Sequence, residues 1–167
     1  MMRLAGLVST FLLLAGCSAR GGEPGAPDAA LLLADAPAPY LADYGFFRDA
    51  AADTPATGVV PYDLINPLFS DHAIKHRFVY VPKGKSADYS EDSVIDFPVG
   101  SALIKTFAFA PDLRAPGVRE YKVETRVLIH KTDGWAAFPY IWNAEGTEAV
   151  YAPAGGRQAI SVVGPLG

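Results

Sequence analysis

The sequence predicts a mainly β protein, an antiparallel β-sandwich or open barrel of about seven short strands with a short N-terminal helix. Beyond residue 76, apolar and polar residues alternate along short segments, as they do in half-buried strands. Breaks containing Gly or Pro separate these segments, and the chain holds 16 Gly and 14 Pro. Strands do not alternate with helical segments, which argues against a dinucleotide-binding fold.

Composition narrows the possible functions. The 167 residues fit one or two small domains, and 50% of them are hydrophobic, which is enough for a buried core. The formal net charge of −4 gives no general attraction for a phosphate backbone and argues against nucleic-acid binding. The chain has a single Cys, so it cannot form an intrachain disulfide, a Cys-rich zinc site or a CxxCH haem attachment site.

Residues 1–16 have the features of a lipoprotein signal peptide. Arg3 supplies a positive start, and the apolar stretch that follows is too short to span a bilayer. The stretch ends in Leu14-Ala15-Gly16-Cys17, which resembles the lipobox of bacterial lipoproteins, so we expect Cys17 to carry the lipid. In that family Ser18, as the residue after the Cys, indicates the outer membrane. The sequence thus predicts a protein of the bacterial cell envelope, anchored by lipid and facing the periplasm.

Four regions are expected along the chain. The signal peptide is followed by a flexible tether over residues 17–39, which are rich in Ala, Gly and Pro and lack aromatic residues. A β-domain is predicted over residues 40–163, and residues 164–167 form a tail. Aromatic and charged residues are mixed at the start of the domain, and with Asp43 near its start they predict a short helix over Ala42 to Ala52.

The strands follow from period-two patterning. The clearest lies over Glu120 to Lys131, where Thr125, Val127 and Ile129 share one face with Tyr121 and Val123, and Lys122, Glu124, Arg126, Leu128 and His130 share the other. Asp133-Gly134 then predicts a hairpin turn. The other predicted strands are Arg77 to Val81, Val94 to Phe97, Leu103 to Phe109, Trp135 to Trp142, Thr147 to Tyr151 and Gln158 to Val163.

The histidines offer one candidate metal site. His72 and His76 stand four residues apart, a spacing that places two imidazoles on one face of a helix, as zinc requires. His130, on the polar face of a predicted strand, would complete a three-histidine site. The alternative is that these histidines are solvated or cap local structure, since the segment before His72 has a loop composition and no HExxH pattern is present.

The aromatic residues of one predicted strand offer a candidate ligand surface. Trp135 lies on the opposite side of that strand from Tyr140 and Trp142, so we expect one of the two sets to be exposed. The exposed set, with Asn143 at the end of the strand, would stack on a sugar or contact a partner protein. Burial in the core is the alternative for either set.

One charged pair has two interpretations. Glu124 and Arg126 share a strand face, where they form either a surface ion pair or an anchor for an anionic group. The chain contains no GxSxG elbow and no P-loop, and no residue is assigned a catalytic role.

Seven short motifs occur in order along the chain. They are Gly58-Val-Val-Pro-Tyr-Asp63, Asn66-Pro-Leu-Phe-Ser-Asp71, Asp96-Phe-Pro-Val-Gly100, Leu103-Ile-Lys-Thr-Phe107, Glu124-Thr-Arg126, Gly134-Trp135 and Tyr140-Ile-Trp-Asn143. Together they resemble a bacterial envelope family of conserved hypothetical proteins and di-haem c-type cytochromes, and a similar module is joined to PQQ-dependent sugar dehydrogenases. The resemblance covers about residues 40–163.

The resemblance implies a non-catalytic β-module that positions or docks a haem unit beside a c-type cytochrome or sugar dehydrogenase partner. In those relatives a CxxCH-bearing segment follows the module, whereas this sequence contains no CxxCH and binds no haem c covalently as written. It is either the front part of a longer cytochrome, with haem c beyond Gly167, or a stand-alone module; the loop composition of residues 164–167 favours the first. Two other hypotheses are a stand-alone carbohydrate- or protein-binding lipoprotein module and a small His-based metalloenzyme.

Overall fold

The computed structural model describes residues 25–51 and 53–166. Within them a six-stranded antiparallel sheet has the order β3-β4-β5-β6-β7-β8, and a two-stranded ribbon joins β1 to β2. The elements are α1 (Ala29–Leu33), the 3-10 helix η1 (Leu41–Tyr44), β1 (Phe47–Asp49), β2 (Thr54–Pro55), β3 (Val59–Pro61), β4 (Ile74–Tyr80), β5 (Ala102–Phe109), β6 (Tyr121–Lys131), β7 (Gly134–Trp142) and β8 (Ala149–Tyr151). The predicted mainly β, antiparallel fold class is confirmed.

One face of the large sheet forms the core and is called the inner face; the opposite one is the outer face. The inner face is covered by the N-terminal segment, whose Leu32, Tyr44 and Phe46 are at most 1% exposed. Phe47 of β1 packs edge to face on Phe78 of β4, with ring centroids 5.0 Å apart. The strands contribute the buried residues Phe78, Tyr80, Ala102, Ile104, Val127, Ile129, Tyr140, Trp142 and Ala149.

The N-terminal segment differs from the prediction. Residues 25–39, expected to belong to the tether, contain α1 and bury Leu32 and Ala38 in the core, because these apolar side chains close the inner face. The expected helix over Ala42 to Ala52 is limited to η1, because Gly45 adopts φ +69° and ends it. Cys17 and the predicted signal peptide lie outside the described residues.

Two predicted strands are not formed. Residues 94–97 and 158–163 each make one isolated bridge, Asp88 with Asp96 and Asp112 with Val163. Val94 is 86% exposed, since no neighbouring strand covers this short apolar run before Pro98. The three-residue strand β3 instead forms one edge of the sheet. The sequence did not predict this strand, because it contains Pro61.

A bulge in β6 changes which side chains reach the core. Phe107 of β5 lies opposite Glu124, but the next residue, Ala108, lies opposite Lys122, so Val123 is an extra residue. Lys122, predicted on the polar face with Glu124, therefore turns to the inner face and is 8% exposed.

Buried Lys122 has several partners. Its ammonium lies 2.8 Å from the carboxylate of Asp53 and donates to the backbone oxygens of Ala50 and Ala51. It also lies 4.9 Å from the centroid of the Trp142 ring. Lys122 thereby ties the loop between β1 and β2 to the middle of the large sheet.

Candidate functional site

Three cations lie side by side on the outer face. Arg77 of β4 is in register with Lys105 of β5, which is in register with Arg126 of β6. We call these three residues the cation row. Side chains directly opposite on neighbouring strands lie about 5 Å apart at Cβ, and like charges at this spacing destabilise a sheet.

Carboxylates compensate the two ends of the cation row. Arg77 Nη1 donates to Asp63 Oδ1 at 2.9 Å, and the Arg77 side chain is 6% exposed. Arg126 donates from Nε and Nη2 to the two carboxylate oxygens of Glu124, at 2.9 Å each. The surface ion pair expected for Glu124 and Arg126 is therefore present, and Arg126 Nη1 keeps no partner among the described residues.

Lys105, at the centre of the row, has no carboxylate of its own. Its ammonium makes no hydrogen bond or ion pair within residues 25–51 and 53–166, and it lies 4.7 Å from the Phe107 ring centroid. Arg126 Cζ lies 4.9 Å from the same centroid, so both cations sit over one aromatic ring. Burial, followed by the charges of Arg77 and Arg126, lowers the pKa of Lys105.

A run of exposed apolar side chains begins beside Arg77. Residues 62–69, called the apolar loop, follow β3, and Tyr62 donates its backbone N–H to the Arg77 carbonyl at 3.0 Å. Lys75 donates to the carbonyl of Leu68, so both ends of the loop attach to β4. Its exposed side chains are Tyr62 at 38%, Leu64 at 47%, Ile65 at 98%, Leu68 at 81% and Phe69 at 68%. Contiguous exposed apolar surface marks interaction sites.

A shallow groove adjoins the other end of the cation row. It has a volume of about 340 Å³ and lies on the outer face beside Arg126. Its floor includes Leu128, Ala137 and Pro139, and residues 153–155 form part of its wall. The apolar loop, the cation row and this groove therefore form one continuous surface across β4 to β7.

The aromatic strand divides as its pattern predicts. Trp135 is 45% exposed on the outer face and stacks on His130, with centroids 4.8 Å apart and planes 8° from parallel. Tyr140 and Trp142 are buried on the inner face. Asn143 hydrogen-bonds through its side chain to Thr147 and so stabilises the β7–β8 turn. Of the candidate aromatic surface, only Trp135 is available to a ligand.

Two polar networks hold the buried aromatics. Trp142 Nε1 donates to Thr125 Oγ1 at 2.9 Å, and Thr125 shares a 2.7 Å hydrogen bond with Thr106. Tyr140 donates to the Ala38 carbonyl at 2.8 Å and contacts the Tyr44 hydroxyl at 3.2 Å. Burial, and next the hydrogen bond with Tyr44, raise the pKa of Tyr140. Sequence reasoning missed both networks.

The structure does not bring the three histidines together. His72 lies in a turn with φ +64°, and its ring contacts Phe69. His76 Nε2 lies 2.5 Å from Glu120 Oε2. The register places His76 level with Thr125, five residues along β6 from His130. In the part of the chain that the structure describes, no group of three His, Cys, Asp or Glu residues is arranged to hold a metal.

None of the helices within residues 25–51 and 53–166 has the length and hydropathy needed to cross a bilayer. Comparison of the chain with protein-family models, with curated proteins and with solved structures found no match.

Proposed function

We propose that this chain is a lipid-anchored, non-catalytic docking module of the bacterial cell envelope, which holds a c-type haem unit or a dehydrogenase partner. The observation that carries the proposal is the apolar loop. Ile65, Leu68 and Phe69 are each at least 68% exposed. Burial of one such side chain against a partner is favourable by about 1.5–3 kcal/mol, so the loop has the composition of a protein–protein contact.

The sequence motifs support the same surface. Gly58 to Asp63 leads into the apolar loop, and Asn66 to Asp71 contains its most exposed aromatic residue, Phe69. Both motifs belong to the series that resembles the cytochrome-associated envelope family. Leu68 and Phe69, the apolar members of the second motif, are 81% and 68% exposed, so packing in the core does not account for them. This placement favours a role in contacting another protein.

The test is recovery of haem with the native protein. The full-length protein is purified from membranes of its source cells, and haem c is quantified by the absorbance of its pyridine haemochrome. We expect a haem-bearing polypeptide, identified by mass spectrometry, to co-purify. The double variant Ile65→Ser/Phe69→Ser should reduce its recovery about tenfold or more, since two buried apolar contacts are lost.

A matched control separates the loop from general surface hydrophobicity. Tyr89 and Val94 are 80% and 86% exposed and lie outside the apolar loop. Tyr89→Ser/Val94→Ser should leave recovery unchanged. The proposal is overturned if the native preparation contains neither haem nor a haem-bearing or dehydrogenase partner, or if both double variants behave like the wild type.

The lipid anchor is tested independently. Cells grown with labelled palmitate should incorporate the label into the wild-type protein but not into a Cys17→Ser variant. Equal labelling of both proteins, or no labelling of either, would rule out lipidation at this residue.

One observation favours a second candidate, carbohydrate binding. Trp135 offers one exposed aromatic face backed by the stacked His130 ring, an arrangement suited to a sugar ring. Glycan binding that is lost in Trp135→Ala and retained in Tyr89→Ala would support this candidate. Binding that persists in Trp135→Ala would exclude the aromatic site.

A further inference from the structure

We propose that Lys105 and Arg126 form a binding site for the carboxylates of an acidic polypeptide segment on the outer face. This inference rests on the proposed docking function and deepens it, because it specifies the chemistry of the partner surface. The occupant is a stretch of Asp or Glu side chains lying across β5 and β6.

The first support is the distribution of charge. Lys75, Arg77, Lys105 and Arg126 lie on this part of the outer face, with Asp63 and Glu124 as the ion-pair partners of the two arginines. Four cations against two carboxylates leave a surplus of two positive charges. The whole chain has a formal net charge of −4, so the charge of this surface is opposite in sign to that of the chain. Such a patch steers acidic partners toward it.

The second support is the set of unused donors. The Lys105 ammonium has three N–H donors and no oxygen partner among the described residues. Arg126 uses Nε and Nη2 for Glu124, which leaves the Nη1 donors for a ligand. Both groups lie within 5 Å of the Phe107 ring centroid, and Lys105 and Arg126 are in register on neighbouring strands. A carboxylate placed between them would supply the counter-charge that the centre of the row lacks.

The surroundings favour an extended acidic segment over a compact phosphate. Phosphate sites typically converge backbone N–H groups at a loop or helix terminus. Here Lys105 and Arg126 lie in the middle of paired strands, where the sheet ladder uses the backbone donors. The surface extends from the apolar loop at one end to the groove beside residues 153–155 at the other. This extent across several strands suits a polypeptide whose acidic residues are spaced along it.

The experiment uses the full chain and a fluorescein-labelled hexaglutamate peptide as the probe, with fluorescence anisotropy as the readout. We expect binding at low ionic strength that weakens as salt is raised, because the contacts are exposed ion pairs. Lys105→Gln should weaken binding about threefold, and Lys105→Gln/Arg126→Gln about tenfold. Lys85→Gln, which removes one charge from an exposed turn outside the cation row, should leave the affinity unchanged.

A variant with the opposite expected effect distinguishes ligand binding from a structural role. Glu124→Gln removes the carboxylate that accepts hydrogen bonds from Arg126 Nε and Nη2, and it should raise the affinity for hexaglutamate about threefold. Lys105→Gln should not lower the melting temperature, because it relieves repulsion between Lys105 and the two neighbouring arginines. Weaker binding without lower stability is the expected signature of the site.

Several outcomes would overturn the inference. They are no binding of hexaglutamate at low salt, equal binding by Lys105→Gln and Lys85→Gln, and displacement of the peptide by inorganic phosphate at concentrations where sulfate and acetate have no effect. Binding of anionic vesicles without binding of the peptide would assign the surface to lipid instead. If hexaglutamate does not bind but recovery of a haem partner depends on the apolar loop, only the carboxylate site is overturned. Peptide binding without any haem or dehydrogenase partner would overturn the proposed function alone.

Discussion

Replacing Thr125 with valine is expected to lower the free energy of unfolding by about 3 kcal/mol. Thr125 Oγ1 accepts a hydrogen bond from Trp142 Nε1 at 2.9 Å and shares another with Thr106 Oγ1 at 2.7 Å. Thr106 and Thr125 are 0% exposed and Trp142 is 2% exposed, so water cannot replace the lost partner without a change in packing. Valine keeps the shape of the side chain but has no polar atom.

The magnitude follows from the groups left unpaired. A buried donor or acceptor without a partner costs about 1–3 kcal/mol, and this substitution leaves two, the Trp142 indole N–H and the Thr106 hydroxyl. Burial of the added methyl group stabilises the folded state by up to about 0.8 kcal/mol. The net destabilisation is therefore about 3 kcal/mol, most of it from the indole and hydroxyl groups.

The assay is urea unfolding followed by tryptophan fluorescence, with Thr106→Val as the matched control. Thr106→Val removes the Thr106–Thr125 hydrogen bond but keeps the bond from Trp142, so it should cost only about 1 kcal/mol. The double variant should cost less than the sum of the two single variants, because both share one network. The reasoning is refuted if Thr125→Val is as stable as the wild type, or if the two single variants are equally destabilised.

Two further predictions concern buried polar groups. Tyr140→Phe should cost about 1 kcal/mol at neutral pH by removing the bond to the Ala38 carbonyl. Because burial and Tyr44 raise the pKa of Tyr140, its stabilising contribution is complete below the ordinary tyrosine pKa of 10.0 and is lost as pH rises above it. Unfolding measured from about pH 8 to about pH 11 should therefore show a steeper loss in the wild type than in Tyr140→Phe. Lys122→Met should cost about 3 kcal/mol, because it leaves the Asp53 carboxylate without its partner, and adding Asp53→Asn should restore part of that loss in urea unfolding.

The alternation of apolar and polar residues over residues 121–131 allowed the longest strand and its hairpin to be predicted. Thr132 and Asp133 form the turn and Gly134 begins β7, and the pattern of the returning strand correctly separates Trp135 from Tyr140 and Trp142. These features are local, because side-chain alternation and turn chemistry act within a few residues. The short strands with Pro55 and Pro61 were missed because proline is not typical of a strand, although β2 pairs with the nearby β1 and β3 pairs with β4.

The candidate site was predictable only in part. The i, i+2 spacing of Glu124 and Arg126 indicates their ion pair, but it says nothing of Lys105 and Arg77. Their alignment depends on the register among β4, β5 and β6, which a single sequence does not reveal. The bulge at Val123 is likewise a property of the strand pair, and it sends Lys122 to the core against the local pattern.

The tripeptide Glu124-Thr125-Arg126 joins the core to the outer face. Thr125 points inward to the indole of Trp142, while Glu124 and Arg126 point outward to the cation row. A shift of β6 by one residue would exchange these roles, burying a guanidinium and exposing the threonine. The hydrogen bonds of Thr125 therefore oppose that shift and hold Arg126 level with Lys105. The buried network and the proposed binding site depend on the same strand register, so stability of the core is a condition for the alignment of the cations.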